Sequence, residues 1–154
     1  MQKPFFTISL DFELFWGVRD LSYAHLYRPN ILGGRDAIPH ILSLFKQYKI
    51  HATWATVAMI TFETKKDLLQ YLPEIRPKYR NYQPYKGLDH IGENERDDPY
   101  HFGYSLLRKI SDTPGMEIAS HSFSHFYCLE NTVKDAFKSD LEEYRFEKKI
   151  TTYI

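Results

Sequence analysis

Phe5-Phe6-Thr7-Ile8-Ser9-Leu10-Asp11-Phe12-Glu13 alternates apolar and polar side chains from Phe6 onward. A period of two is that of a strand with one buried face, so Phe6, Ile8, Leu10 and Phe12 take one side and Thr7, Ser9, Asp11 and Glu13 the other. Two carboxylates therefore leave the end of this strand on the same side. Much later, Ile118-Ala119-Ser120-His121-Ser122-Phe123-Ser124-His125 places two histidines just after a second apolar run. Histidines four apart share one face of a helical turn, from which both imidazoles reach one ion. Such a pair also arises by chance, and the strand that ends in Asp11 and Glu13 is what gives it weight. The four residues supply the base and the ligands of a hydrolytic metal centre.

Between these stretches, strand-like and helical patterns alternate. A loop containing Gly33-Gly34 leads to Ile38, Ile41, Leu42, Phe45 and Tyr48 at helical spacing, with Pro39 tolerable in the first turn. His51 to Ile60 reads as a second strand, and Glu63 to Leu72 as a short helix that ends before Pro73. A third helix is expected around Tyr100 to Ile110, a third strand over Met116 to Ser120, and a last helix near Thr132. Thr132 pairs with Asp135 as an N-cap, and Val133, Phe137, Leu141 and Tyr144 form its apolar stripe. This rhythm predicts an α/β fold, with parallel strands in a sheet or barrel and helices outside. Active sites of such folds gather at the carboxyl ends of the strands, where Asp11, Glu13, His121 and His125 all fall.

The 154 residues suit one domain able to bury a core, and 43% hydrophobic with 26% charged residues is a globular rather than a disordered composition. Lys plus Arg equals Asp plus Glu at 20 each, so no basic excess draws nucleic acid or an anionic membrane. No apolar stretch approaches the roughly 20 residues of a membrane span. Acidic residues at 11 and 13 interrupt any signal-peptide core, and the single Cys128 makes no internal disulfide, so a cytoplasmic location is expected. Gly-x-Gly-x-x-Gly, Gly-Lys-Ser/Thr and Gly-x-Ser-x-Gly patterns are absent, which leaves nucleotide-binding and serine-hydrolase readings without support.

Residues 73–99 carry four prolines, Tyr79, Tyr82 and Tyr85, and the acidic stretch Glu93 to Asp98, with no sustained period. A loop of this length is expected to overhang a substrate site, where the tyrosines are candidates for stacking on sugar rings. Cys128 lies too far along a helix from His121 to share its ion and reads as a small core residue.

Ser9-Leu10-Asp11-Phe12-Glu13 followed by His121-Ser122-Phe123-Ser124-His125 resembles the first two motifs of the polysaccharide deacetylases, carbohydrate esterase family 4 with its nodulation-protein-type domain. The His-Ser/Thr-x-x-His motif is matched fully. Leu14-Phe15-Trp16-Gly17, His51-Ala52-Thr53-Trp54 and Phe126-Tyr127-Cys128-Leu129-Glu130 extend the likeness over nearly the whole chain. The resemblance implies a distorted (β/α) barrel, a divalent metal, commonly zinc, and removal of acetyl groups from amino sugars or a polysaccharide precursor. It makes Asp11 the catalytic base and His121 and His125 metal ligands. The first motif departs from the family's two adjacent aspartates, since its second acid is Glu13, two positions on. Strand alternation supports Glu13 as the third ligand, although the residues leave open which carboxylate binds.

The implied reaction has Asp11 taking a proton from a metal-activated water that attacks the acetyl carbon, while Ser122 braces the histidine turn. The family's later motifs, an Arg-Pro segment and a C-terminal histidine acid, find no match after Leu129. Residues 1–154 are accordingly expected to be the N-terminal part of one deacetylase-like domain, an incomplete barrel nearly inactive alone. Its expected partners are the missing C-terminal segment, or a second copy recruited through an exposed sheet edge. The alternative is a catalytically silent metal- or carbohydrate-binding remnant.

Overall fold

The computed structural model describes residues 5–80, 82–130 and 134–146. Three strands, β1 (Ser9–Phe12), β2 (Ala52–Thr56) and β3 (Met116–Ser120), form one parallel sheet in the order β1-β2-β3. In register, Leu10 stands beside Trp54 and Trp54 beside Ile118, while Asp11 stands beside Ala55 and Ala55 beside Ala119. These rows alternate between the two faces of the sheet.

Among the described residues, helices pack against one face of the sheet. Leu10, Phe12, Trp54, Met116 and Ile118 pack against Ile38, Leu42, Leu106, Leu107 and Ile110. Those residues come from α1 (Arg28–Tyr48) and α3 (Tyr104–Ser111). On the other face Ser9, Asp11 and Glu117 are exposed, and Thr53, Ala55 and Ala119 half-buried. The expected face assignment holds over Ser9–Phe12, yet Phe5 and Phe6 lie outside the strand, 94% and 90% exposed. β2 likewise ends at Thr56, and Ala58–Ile60 continues as a buried 3-10 turn.

α1 departs most from expectation. It begins at Arg28, with Pro29 in its first turn, runs through Gly33-Gly34 and carries Pro39 in its interior. Each glycine costs about 1 kcal/mol and Pro39 removes the hydrogen bond to the Arg35 carbonyl, so local preference alone would break this helix. Packing overrides it. Ile31, Ile38 and Leu42 are buried. The Arg35 guanidinium donates to the carbonyls of Pro99 (3.1 Å) and Phe102 (2.7 Å) and pairs with Glu95.

The same contacts give residues 73–99 their order. α2 (Lys65–Gln70) is capped by Thr64, whose hydroxyl accepts from the Asp67 N–H at 3.1 Å. Glu95 accepts from the Ser105 N–H (2.8 Å) and hydroxyl (2.6 Å) at the start of α3. Asp98 accepts from the backbone N–H groups of Gly92 and Tyr100 and contacts His101 Nδ1 at 2.7 Å. Burial would raise the Asp98 carboxyl, but His101 and these N–H donors outweigh it and hold it at about 2.

α4 (Lys134–Phe146) buries Ala136, Ser139 and Asp140, whereas Phe137 is exposed. Of the expected stripe, Tyr144 packs against the core and Leu141 is half-buried, while Phe137 is exposed and the neighbouring Ala136, Ser139 and Asp140 take the buried positions. The expected Thr132 cap and Val133 lie outside the described residues. No helix among the described residues is long and apolar enough to cross a membrane.

Candidate metal centre

Each strand delivers its contribution at its carboxyl end. Glu13 follows β1 directly, and the Phe12 carbonyl accepts from the Val57 N–H at 3.0 Å. His121 follows β3 and its N–H donates to the Thr56 carbonyl at 2.9 Å. The chain then turns back through residues 121–125, pinned to the Ala58–Ile60 turn. The Ala58 N–H donates to the Ser122 carbonyl and the Met59 N–H to the Phe123 carbonyl, both at 3.1 Å.

This turn is not helical, contrary to the spacing argument. Ser122 and His125 both have left-handed backbones, with φ of 62° and 54°. Non-glycine residues adopt that conformation only where surrounding contacts hold them in it. The Ser122 hydroxyl accepts from the Phe126 N–H at 2.7 Å, and Asp140 of α4 accepts from the N–H groups of Phe123 (2.8 Å) and Ser124 (3.2 Å) and from the Ser124 hydroxyl. Burial raises the Asp140 carboxyl, and those donors oppose it. The outcome for the histidines is what a helical turn would have achieved, with ring centroids 5.0 Å apart and planes crossing at 68°.

Three of the four expected residues converge. Glu13, His121 and His125 each offer a ligand atom within 4.8 Å of the others. Glu13 Oε2 lies 3.3 Å from His121 Nε2 and 3.1 Å from His125 Nε2. Bonds of about 2.0–2.1 Å around a tetrahedral cation put neighbouring ligands about 3.3 Å apart, so this spacing fits one ion. Glu13 Oε2 and His121 Nε2 are moreover buried atoms without a hydrogen-bond partner. Such atoms facing one another cost free energy unless something else satisfies them, and a cation does so. The approach of His125 lowers the Glu13 carboxyl most, partial burial opposes it, and His121 adds to the lowering.

Asp11 stands outside this group. It is exposed on the face without helices, one alternation upstream of Glu13. Cys128 is exposed as well, which corrects its assignment to the core; the chain beyond His125 leaves the interior as a loop rather than a helix.

Several residues that support the site carry no motif. Gly17 closes the 3-10 turn Leu14–Gly17 directly against the Glu13 carboxylate. Arg19 Nη2 donates to the Ser124 carbonyl at 2.6 Å, and its guanidinium lies over the rings of Trp16 (4.9 Å) and Tyr82 (5.4 Å). Tyr79 is buried, and its hydroxyl accepts from the Tyr127 N–H at 2.9 Å. Tyr127 meets His125 edge-on at 5.3 Å. Burial pushes the Tyr79 and Tyr82 hydroxyls up to about 12. The tyrosines of the long loop thus wall the histidine turn, and Tyr79 has no free face for a sugar. The sequence signal for Asp140 is a carboxylate within the apolar stripe of its helix.

No family model, curated protein or solved structure matches the chain.

Proposed function

We propose that this chain is a metal-dependent hydrolase that removes acetyl groups from amino sugars or a polysaccharide precursor. The observation that carries this reading is the meeting of Glu13, His121 and His125 just beyond the strand ends, with Glu13 Oε2 and His121 Nε2 facing one another without hydrogen-bond partners. One carboxylate and two imidazoles would hold a divalent cation, zinc by preference for nitrogen-rich sets. Bound there, the cation supplies a water with a pKa near about 7 and polarises the acyl carbonyl.

The chain's own residues do the rest. The ligand side chains are 22% to 32% exposed, so the site opens to solvent on one side and admits a substrate. Asp11, at the end of the same strand as Glu13, accepts the proton of the attacking water through its carboxylate. Asp140 and Ser122 hold the histidine turn in its left-handed geometry and so fix where the imidazoles stand. The face bearing Asp11 is the inner wall of a (β/α) barrel arc, which accounts for its small and polar side chains in a parallel sheet otherwise covered by helices.

A second reading, a metal- or carbohydrate-binding protein without catalysis, draws on one observation: Asp11 lies outside the convergent group. Acetate release from N-acetylglucosamine oligomers, measured with added zinc for the parent chain and Asp11→Asn, separates the two. The hydrolase reading predicts metal-dependent release that is slow for residues 1–154 alone and falls further in Asp11→Asn, since a positioned base is worth about 10²–10⁴ in rate. Equal release from both proteins, or none from the parent, contradicts it.

A further inference from the structure

Beside the histidine turn, Arg19, Arg80, Tyr82, Gln83 and Lys86 line an open cleft of ≈ 470 Å³. Three cations border one space, and among the described residues no carboxylate forms an ion pair with any of them. Glu130 accepts from the Arg80 backbone N–H at 3.4 Å, and the nearby Asp20 carboxylate interacts with the Tyr82 and Tyr127 hydroxyls. This is unusual for a chain whose charges balance overall, since 20 acidic residues were available to neutralise it. Arg19 is also held in place by the Ser124 carbonyl, the Met59 sulfur (3.8 Å from Nη1) and the rings of Trp16 and Tyr82, while its buried Nε lacks a hydrogen-bond partner.

We propose that this cleft binds a phosphoryl group of the substrate, so that the acylated sugar acted on is a phosphate or diphosphate ester. The inference rests on the hydrolase reading for the sugar, and on the cleft alone for the anion. A carboxylate carries one charge and would leave two of the cations unmatched. A phosphate or diphosphate offers several oxygens to the exposed Arg80 guanidinium and Lys86 ammonium, with the fixed charge of Arg19 beside them. The cleft is close enough to serve the metal centre: its wall Tyr82 meets Tyr127 at 5.7 Å, and Tyr127 meets the ligand His125 at 5.3 Å. Two aromatic rings, Tyr82 and Tyr127, thus lie between the cleft and the ligand His125.

Arg80 and Lys86 are exposed, so Arg80→Gln/Lys86→Gln removes charge without opening the core. Inorganic pyrophosphate is titrated calorimetrically into the parent chain, this double variant and His121→Ala. The cleft predicts binding that weakens at least tenfold in the double variant, fades with added salt, and persists in His121→Ala. Equal binding by the parent and the double variant, or loss in His121→Ala alone, overturns it. Acetate release then compares N-acetylglucosamine 1-phosphate with N-acetylglucosamine. A lower KM for the phosphate ester, raised about tenfold by the double variant at unchanged kcat, supports the joint reading. Cleft-dependent pyrophosphate binding without acetate release from either sugar leaves the cleft standing and overturns the hydrolase. UDP-N-acetylglucosamine in solution and a polyprenyl-diphosphate-linked sugar in phosphatidylcholine vesicles distinguish a nucleotide from a lipid carrier. The carrier bound more tightly is the source of the phosphate, and binding no tighter than neutral sugar in both arms overturns the proposal.

Discussion

Gly17 and the carboxylate of Glu13 compete for the same space: a Cβ at position 17 would stand 2.0 Å from Glu13 Oε1 and 2.1 Å from its Cδ. Only hydrogen fits on that side of the turn. Glycine at the end of Leu14–Gly17 is therefore a condition for Glu13 to lie against the two histidines.

Gly17→Ala should displace the Glu13 side chain while leaving the fold intact, because the clash falls on a flexible side chain rather than on backbone. Positioning contacts of this kind are worth about 10–100-fold in metal affinity. Zinc titration against a competing chelator, with circular dichroism as the fold control, checks it; unchanged affinity would show that Glu13 is not a ligand.

Asp140 ties α4 to the histidine turn through three donors. In Asp140→Asn one amide end can no longer accept, so at least one buried donor is orphaned at about 1–3 kcal/mol. Thermal unfolding should show a lowered Tm and zinc titration a weakened affinity. A lowered Tm with unaltered affinity would confine Asp140 to stability.

Asp98 makes a separate, pH-dependent contribution. Its carboxyl is depressed from 3.8 to about 2, so the stabilisation, about 2 kcal/mol, is complete above 3.8 and lost as pH falls toward 2. Asp98→Asn lacks that term at every pH. Its Tm deficit relative to the parent should be full at pH 6 and shrink between pH 4 and pH 2, and parallel curves would contradict the assignment.

The parallel sheet and the meeting of both ends of the site were legible in the sequence, because both rest on a period of two and on position relative to strand ends. Ser9–Phe12 shows this most clearly, since its alternation sends Phe12 into the core and leaves Glu13 at the site. Other features were hidden where distant contacts overrule local preference. Gly33-Gly34 read as a loop before the helix and Pro39 as part of its first turn, whereas burial of Ile31, Ile38 and Leu42 and the reach of Arg35 to Pro99 and Phe102 hold one unbroken helix. The histidine spacing suggested a helical turn, whereas Asp140 and Ser122 impose left-handed residues that no local pattern announces. Arg19 and Gly17 act through neighbours far off in sequence or through an absent side chain, and neither leaves a periodic trace.

The central claim is that Glu13, His121 and His125 together hold one divalent cation. Elemental analysis of the purified parent chain, His121→Ala, His125→Ala, Glu13→Ala and Asp11→Asn tests it most directly. The predicted result is one zinc per chain in the parent and in Asp11→Asn, loss in both histidine variants, and reduced content in Glu13→Ala. Metal content in His121→Ala and His125→Ala equal to that of the parent would contradict it.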